Sequence, residues 1–178
     1  MVVRTSTAEW RGRVKDGAGC VSLGSGAFEG PYSFGSRFEK ETGTNPEELL
    51  GAAHASCFSM ALSLLLTEAG YAPTQIRTLA KVSIERSGNG FAITHIDLLT
   101  VGDVPGLDPR GFAAHAEAAK ANCPVSKALT GVEISLTASL AEQSRSIASG
   151  KGAAGSLASR AHTPVMSRRG SGCFHRAR

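Results

Sequence analysis

Aromatic residues are scarce in this sequence, at 6% of its 178 residues. Proteins that hold single-stranded nucleic acid stack bases on aromatic side chains, so this composition argues against such a platform. The N-terminus, Met-Val-Val-Arg-Thr-Ser, lacks an apolar h-region, and no run approaches the roughly 18 apolar residues of a membrane span. We therefore expect a cytoplasmic chain with neither a secretory signal nor a membrane partner.

Net positive charge is missing from most of the chain, although its formal charge is +4. Residues 141–178 hold seven basic side chains and one acidic one, whereas residues 1–140 hold 12 basic and 14 acidic ones. The last segment is rich in Ser, Ala, Gly and Arg without apolar periodicity, which predicts a disordered basic tail. Residues 1–140 are expected to form one slightly acidic domain with no specific affinity for nucleic acid.

Cysteine is also sparse, and its spacing is irregular. The four positions are Cys20, Cys57, Cys123 and Cys173. In a chain without an export signal, such cysteines are more often reactive, metal-bound or simply buried than paired in structural disulfides.

The order of predicted elements indicates an α+β fold. Short strands broken by glycines fill residues 3–36, and a long helix follows Asn45. The later elements are a hairpin (75–86 and 91–101), a helix (108–121), a short helix (124–129) and a strand (132–140). Helices do not alternate with every strand, so we expect a mainly antiparallel sheet packed on a long central helix.

The long helix has the clearest signals. Asn45 is the predicted N-cap, Pro46 lies at N1, Glu48 at N3 completes a capping box, and Gly70 ends the helix. Apolar residues then recur every three or four positions, which predicts one buried stripe. This stripe consists of Leu49, Leu50, Ala53, Cys57, Met60, Ala61, Leu64 and Leu65.

Two cysteines are candidates for chemistry. Cys57 lies on the apolar stripe, where a buried and inert thiol is the more common outcome. Cys123 precedes Pro124 and can cap the short helix, where free N–H groups would stabilise a thiolate. His54 lies one helical turn before Cys57, and with Cys123 it would supply three zinc ligands, although no fourth is evident and a solvated histidine is expected. Spacing alone does not decide whether these residues form a peroxidase site, form a metal site or are simply buried in the core.

Three segments resemble the OsmC/Ohr family of osmotically inducible and organic-hydroperoxide-resistance proteins, in its OsmC branch. Residues 43–63 (GTNPEELLGAAHASCFSMALS) are similar to the first cysteine motif of that family, and residues 121–129 (ANCPVSKAL) to the second. Residues 31–39 (PYSFGSRFE) are similar to the stretch that precedes the first motif in the OsmC branch. Cys20 and Cys173 match neither motif.

The resemblance implies a thiol peroxidase of oxidative and osmotic stress defence that uses no cofactor. Cys57 would attack an organic hydroperoxide, and hydrogen peroxide less well, to become a sulfenic acid. Cys123 would then form a disulfide with Cys57. A dithiol, with a lipoyl-bearing protein as one candidate, would reduce that disulfide.

The family also implies an arginine–glutamate ion pair at the active site and a homodimeric assembly. Arg37 matches the arginine that stabilises the thiolate and orients the peroxide, and Glu47 matches the glutamate that holds this arginine in a bidentate ion pair. The implied assembly is an intertwined homodimer with its active sites at the subunit boundary. Apolar side chains around Cys57 would favour organic hydroperoxides.

Overall fold

Ten helices and strands make up the part of the chain that the computed structural model describes, residues 1–141. Almost all of the predicted tail, including Cys173, lies outside these described residues. The elements are β1 (Ser6–Arg11), β2 (Ala18–Leu23), β3 (Glu29–Ser33), α1 (Phe34–Phe38), α2 (Pro46–Glu68), β4 (Gln75–Ser87), β5 (Gly90–Asp103), α3 (Pro109–Asn122), α4 (Pro124–Ala128) and β6 (Glu133–Leu140).

The strands form two three-stranded sheets, ordered β1-β2-β3 and β4-β5-β6. The pairs β1–β2, β2–β3 and β4–β5 are antiparallel, which confirms the α+β class with mainly antiparallel pairing. The strand β6 pairs with β5 in parallel. The chain leaves β5, passes through α3 and α4, and returns in the same direction, because a parallel pair needs such a crossover.

The helix α2 begins as predicted. The Asn45 side chain accepts a hydrogen bond from the backbone N–H of Glu48 at 2.8 Å, and Pro46 lies at N1. The Glu48 carboxylate accepts a bond from the Thr44 hydroxyl (3.4 Å) rather than from the Asn45 N–H, so only half of the predicted capping box forms. Gly70, with φ of +86°, follows the helix in the left-handed region that glycine favours.

The buried face of α2 is not the predicted one. The buried positions are Glu47, Gly51, His54, Phe58, Leu62 and Leu66. Of the predicted stripe, Cys57, Ala61 and Leu65 lie partly buried beside this face, whereas Met60 and Leu64 are 75% and 58% exposed. The prediction was wrong because α2 is apolar around most of its circumference, so periodicity does not single out one face.

The apolar character of α2 also bears on the membrane question. By length and composition this helix of 23 residues would suffice to cross a membrane, with a mean hydropathy of 1.7. The expectation that no segment reaches this length and hydropathy is therefore wrong for α2. One such helix is weak evidence for a membrane span, because core helices of soluble proteins meet the same criterion.

The hydrophobic core lies between the helices α2 and α3 and one face of the β4–β6 sheet. Phe58 and Leu62 from α2 join Ile96 from β5 and Phe112 from α3, all with no exposed surface. The ring of Phe112 covers Gly102, where an added Cβ would lie 2.4 Å from the ring. Within residues 1–141, the sheet β1–β3 contributes no side chain to this core.

The short helix α1 was not predicted, since residues up to 36 were expected to be strands and turns. Its start is a capping box made by two serines. The Ser33 hydroxyl accepts from the Ser36 N–H at 3.0 Å, and the Ser36 hydroxyl accepts from the Ser33 N–H at 2.9 Å. This reciprocal pair turns the chain out of β3 and places Arg37 in the only turn of α1.

Candidate active site

The thiols of Cys57 and Cys123 lie side by side although 65 residues separate them in the sequence. Cys57 is half-buried near the middle of α2, and Cys123 is fully buried between α3 and α4. Both are free thiols, and they lie close enough for each to shift the pKa of the other. The fold thus brings together the two cysteines that sequence spacing alone could not pair.

Local backbone structure fixes the position of Cys123. Its N–H donates to the carbonyl of Ala119 at 2.8 Å, which completes the last turn of α3. Its own carbonyl accepts from the N–H of Lys127 at 3.0 Å, so the same residue opens α4. Pro124, at N1 of α4, has no N–H that requires a partner. Cys123 is therefore the corner residue between two helices, held by both.

The two thiols differ in acidity within one subunit. Burial raises the pKa of Cys57, and the neighbouring Cys123 raises it further, against a hydrogen bond from the Val125 backbone N–H. Burial also acts to raise the pKa of Cys123. The Ser126 N–H, the Cys57 thiol, the Ser126 hydroxyl and the Val125 N–H together outweigh it, so the pKa of Cys123 is lowered. Taken by itself, one subunit favours the thiolate at Cys123.

His54 is fully buried, not solvated as expected. Its Nε2 atom lies 2.8 Å from the hydroxyl oxygen of Ser126, and burial lowers its pKa. The Nε2 atom therefore faces a serine, and Nδ1 is buried without a hydrogen-bond partner. Residues 1–141 hold no group of three or more His, Cys, Asp or Glu side chains placed to bind a metal ion. The zinc interpretation of these three residues therefore lacks its ligand set.

Arg37 and Glu47 form a close ion pair. The Arg37 Nη2 atom donates to Glu47 Oε1 at 2.6 Å, and Arg37 Nε donates to Glu47 Oε2 at 3.1 Å. The Glu47 side chain is 8% exposed and that of Arg37 is 36% exposed. Two parallel bonds between a guanidinium and a carboxylate hold the planes of both groups. The pair has the bidentate geometry that the resemblance implied.

The ion pair and the thiols are separate within the chain. Glu47 and Cys57 are ten residues apart on α2, which corresponds to about 15 Å along the helix axis at 1.5 Å per residue. Among the described residues, no hydrogen bond or ion pair connects Arg37 or Glu47 with either cysteine. The structure thus assembles the four predicted residues as two pairs and leaves a gap between the pairs.

An apolar cavity of about 240 Å³ adjoins Arg37. Aromatic side chains form much of its wall, and the Arg37 guanidinium lies 5.0 Å from the centre of the Phe38 ring. The lining residues are Trp10, Val14, Tyr32, Ser33, Phe34, Arg37, Phe38 and Pro46. This cavity lies beside the arginine, and Cys57 is not among its lining residues.

Sequence reasoning missed Ser126 and the backbone N–H of Val125, both of which lower the pKa of Cys123. A signal for Ser126 was available. It is the third residue after Cys123 at the start of a short helix, where a side chain can lie beside the capping residue. His54, one helical turn from Cys57, was considered as a zinc ligand and expected to be solvated, because nothing in the sequence shows what its ring faces.

Comparison with known proteins places the chain in a family. Residues 39–137 match the family of OsmC-like proteins. Over 123 residues the chain is 55% identical to the protein named peroxiredoxin OsmC of Escherichia coli (strain K12), covering 68% of this chain and 86% of that one.

Solved structures show the same architecture. An organic hydroperoxide resistance protein of Elizabethkingia anophelis superposes with a TM-score of 0.62 at 27% identity, over 79% of this chain and 99% of that one. The organic hydroperoxide resistance protein OhrB of Bacillus subtilis gives a TM-score of 0.58 at 26% identity, over 75% and 97%. The chain therefore belongs to the family of OsmC-like proteins.

Proposed function

We propose that this protein is a thiol-dependent peroxidase that reduces organic hydroperoxides, with Cys57 as nucleophile and Cys123 as the resolving thiol. The observation that carries this proposal is the contact between the two sulfur atoms. The fold brings two free thiols together, so a disulfide can form between them. The names of the relatives, a peroxiredoxin and two organic hydroperoxide resistance proteins, support the same activity.

The cycle has two chemical steps. The Cys57 thiolate attacks the terminal oxygen of the hydroperoxide, the O–O bond breaks, and the departing alkoxide takes a proton to leave as an alcohol. Cys57 is then a sulfenic acid. Cys123 attacks the Cys57 sulfur, the S–O bond breaks, and the hydroxide takes a proton to leave as water. The product is a disulfide between Cys57 and Cys123.

The first step needs a positive charge beside Cys57. Within one subunit the pKa of Cys57 is raised by burial, and no cation contacts the thiol among the described residues. A guanidinium carries a positive charge and offers several donors in a fixed plane, which suits Arg37 to this task. It is the cation that the proposal assigns to the thiolate and to the peroxide oxygens, with Glu47 holding it in place.

The separation along α2 supports a homodimer in which Arg37 of one subunit serves Cys57 of the other. Two α2 helices that pair antiparallel across a two-fold axis place the start of one beside the middle of the other. Met60 and Leu64, large apolar residues exposed on α2, supply the surface for such pairing. The sheet β1–β3, which covers no core within its own subunit, is free to cover the partner.

The cavity beside Arg37 supports an organic substrate. Its walls include Trp10, Tyr32, Phe34 and Phe38, so an alkyl or aryl group would leave water on entering it while the peroxide group stays near the guanidinium. Hydrogen peroxide has no such group and gains nothing from these walls. We expect organic hydroperoxides to react faster for this reason.

The reductant and the location belong to the same proposal. A dithiol is favoured as reductant, because its second thiol releases the mixed disulfide within one molecule. A lipoyl-bearing protein is the candidate suggested by the family resemblance. Thiols that cycle through a disulfide also suit a reducing compartment, so we place the protein in the cytoplasm, bound to neither nucleic acid nor membrane.

The test is peroxide consumption combined with disulfide mapping. With cumene hydroperoxide and dihydrolipoamide, the wild-type protein should turn over continuously, whereas Cys57→Ser should lose at least about 10³-fold in rate. Cys123→Ser should consume one equivalent of peroxide and accumulate a sulfenic acid at Cys57, detected by mass spectrometry after trapping with dimedone. No turnover with dithiothreitol or dihydrolipoamide, together with no Cys57–Cys123 disulfide after peroxide treatment, would contradict the proposal.

A further inference from the structure

The side chain of Phe91 connects the two sheets at the helix that carries Arg37. Phe91 is the second residue of β5, directly after the turn of the β4–β5 hairpin. Its ring centre lies 4.7 Å from that of Phe38 on α1, with the two ring planes inclined by 34°. A hairpin of the sheet β4–β6 therefore touches the short helix that follows the sheet β1–β3.

The ring of Phe38 also contacts Arg37 itself. The Arg37 guanidinium carbon lies 5.0 Å from the centre of this ring, and the ring of Phe34 lies 5.0 Å from it on the same helix. An aromatic face attracts a guanidinium electrostatically, and neighbouring rings stabilise one another in tilted arrangements. One side chain, Phe38, thus contacts both the guanidinium of Arg37 and the ring of Phe91.

The helix α1 depends on such contacts because it is only five residues long. A helix of this length is not stable without tertiary packing. Its fully buried residues are Gly35 and Ser36, neither of which has an apolar side chain to pack. The serine capping box holds the first end of α1. Phe38 is the last residue of α1, so its ring contacts supply packing at the other end.

We propose that Phe91 is a positioning residue for Arg37, acting through the ring of Phe38. The inference rests on the proposed function, in which Arg37 stabilises the thiolate of Cys57 and orients the peroxide. Glu47 holds the edge of the guanidinium through hydrogen bonds of 2.6 and 3.1 Å. Phe91 restricts the movement of Phe38, and with it the movement of the helix and of the guanidinium beside the ring.

The surroundings of Phe91 do not explain this residue as part of the core. Its side chain is 52% exposed, and it is not a member of the hydrophobic core within residues 1–141. The turn before it, residues 87–90 with the sequence SGNG, carries no apolar side chain. Replacing Phe91 should therefore change stability little, and an effect on the peroxide step would have to come through its contact with α1.

An alternative role for Phe91 is to shape the cavity beside Arg37, because Phe38 also lines that cavity. The two roles differ in their dependence on the substrate. The cavity wall contacts the organic group and matters only for organic hydroperoxides. The charge of Arg37 acts on the thiolate and on the peroxide oxygens, so its position matters for hydrogen peroxide as well.

The first experiment measures the second-order rate constant of the peroxide step by stopped flow, with cumene hydroperoxide and with hydrogen peroxide. Phe91→Ala should slow the step about fivefold with both peroxides, the size expected from losing one aromatic pair. Phe91→Tyr keeps the ring and should react at nearly the wild-type rate. A loss confined to cumene hydroperoxide, or equal slowing in Phe91→Tyr, would overturn the positioning role.

Leu79→Ala is the matched control for this experiment. Leu79 is an apolar residue of the same sheet with a similar exposure, 55%. It lies on β4 eight residues before the hairpin turn, which corresponds to about 26 Å at 3.3 Å per residue. Its replacement should leave both rate constants unchanged.

The second experiment is a double-mutant cycle between Phe91 and Arg37. If Phe91 acts through Arg37, Phe91→Ala should have almost no further effect once Arg37 is replaced by Ala, with rates equal to within about 1.5-fold. A full fivefold loss in the Arg37→Ala background would show that Phe91 acts independently of the arginine, and the proposal would be wrong.

The third experiment needs no peroxide and reads the position of Arg37 directly. The Nε–Hε group of Arg37 donates to Glu47, and its NMR signal is assigned by its absence in Arg37→Lys. Its order parameter should fall in Phe91→Ala and stay at the wild-type value in Leu79→Ala. An unchanged order parameter in Phe91→Ala would overturn the positioning role. A wild-type protein that consumes no peroxide would overturn the proposed function instead, and the order parameter would still decide the role of Phe91.

Discussion

The thiol pair, Cys57 and Cys123, and the ion pair, Arg37 and Glu47, are held in place by different kinds of structure. Cys123 is fully buried at a corner between two helices, and its neighbours Ser126, Cys57 and Val125 lower the pKa of its thiol. Arg37 is carried by a helix of five residues at the end of an outlying sheet, and its side chain is 36% exposed. The thiols belong to the core of the subunit, whereas the arginine belongs to its edge.

This difference shows which part of the site one chain can complete. Everything that acts on the resolving thiol is supplied by α2, α3 and α4 of the same subunit. The cation that the proposal assigns to Cys57 is paired with Glu47, which lies about 15 Å from Cys57 along α2. A single chain therefore favours the thiolate at Cys123, and we infer that a second chain reverses the order by bringing Arg37 to Cys57. The experiments below test whether the two regions act as one site.

The largest expected effect is complementation between two defective subunits. Arg37→Ala should slow the peroxide step about 100-fold, as removal of a charge stabiliser commonly does, and Cys57→Ser should abolish it. A heterodimer of the two, isolated through two different affinity tags, retains one intact site if Arg37 serves the partner subunit. Its rate of peroxide consumption should be about half that of the wild-type dimer.

The control for this test is Arg13→Ala. Arg13 is paired with Asp16 at the surface, so its loss should leave the peroxide step unchanged in the homodimer. A heterodimer no faster than the Arg37→Ala homodimer would assign Arg37 to the cysteine of its own subunit. The dimer model with shared sites would then be wrong.

A smaller effect is expected from Glu47→Gln. The amide accepts one bond from Arg37 but is neutral and holds the guanidinium less firmly, so we expect the peroxide step to slow about tenfold. Glu48→Gln is a close control, because Glu48 occupies the next position in the same helical turn and makes no contact with Arg37. Stopped-flow rates with cumene hydroperoxide compare the two. Equal rates for both variants would separate Glu47 from the function of Arg37.

The smallest expected effect is on the free energy of unfolding, and it comes from His54 on α2. The pKa of His54 is lowered by burial in the folded protein, so the unfolded chain binds a proton more readily. The free energy of unfolding should therefore fall as pH drops below about 6.5, by at most about 1.4 kcal/mol per pH unit from this group, until His54 is protonated in the folded protein as well. His54→Leu should remove this component. Urea unfolding of both proteins between pH 5 and 8 measures the difference, and parallel pH profiles would contradict the assignment.

Sequence patterns predicted the positions of the helices and strands better than they predicted which face of a helix is buried. Asn45, Pro46 and Gly70 mark the ends of α2 because capping depends on a few adjacent residues. The buried face of the same helix was missed because its apolar residues surround the axis, and only tertiary contacts decide which of them are covered. His54 shows the same limit. Its burial follows from the approach of α4, which no local pattern contains.

The site was predictable to the extent that it follows motifs. The resemblance supplied Cys57, Cys123, Arg37 and Glu47, and the structure brings the two cysteines together and pairs the arginine with the glutamate. It could not supply Ser126, whose hydroxyl oxygen lies 2.8 Å from the ring of a histidine 72 positions away. The helix α1 was also missed, because two serines three residues apart are common in turns and loops.

The burial of Cys123 has a consequence for the irreversible oxidative inactivation of the protein. A sulfenic acid that persists reacts with a second peroxide molecule and is oxidised to a sulfinic acid, which ordinary thiols cannot reduce. Cys57, half-exposed, is open to that damage, whereas Cys123 is shielded from solvent. In the proposed cycle, the number of turnovers before permanent inactivation therefore depends on how fast the adjacent Cys123 closes the disulfide relative to the arrival of a second peroxide molecule at Cys57.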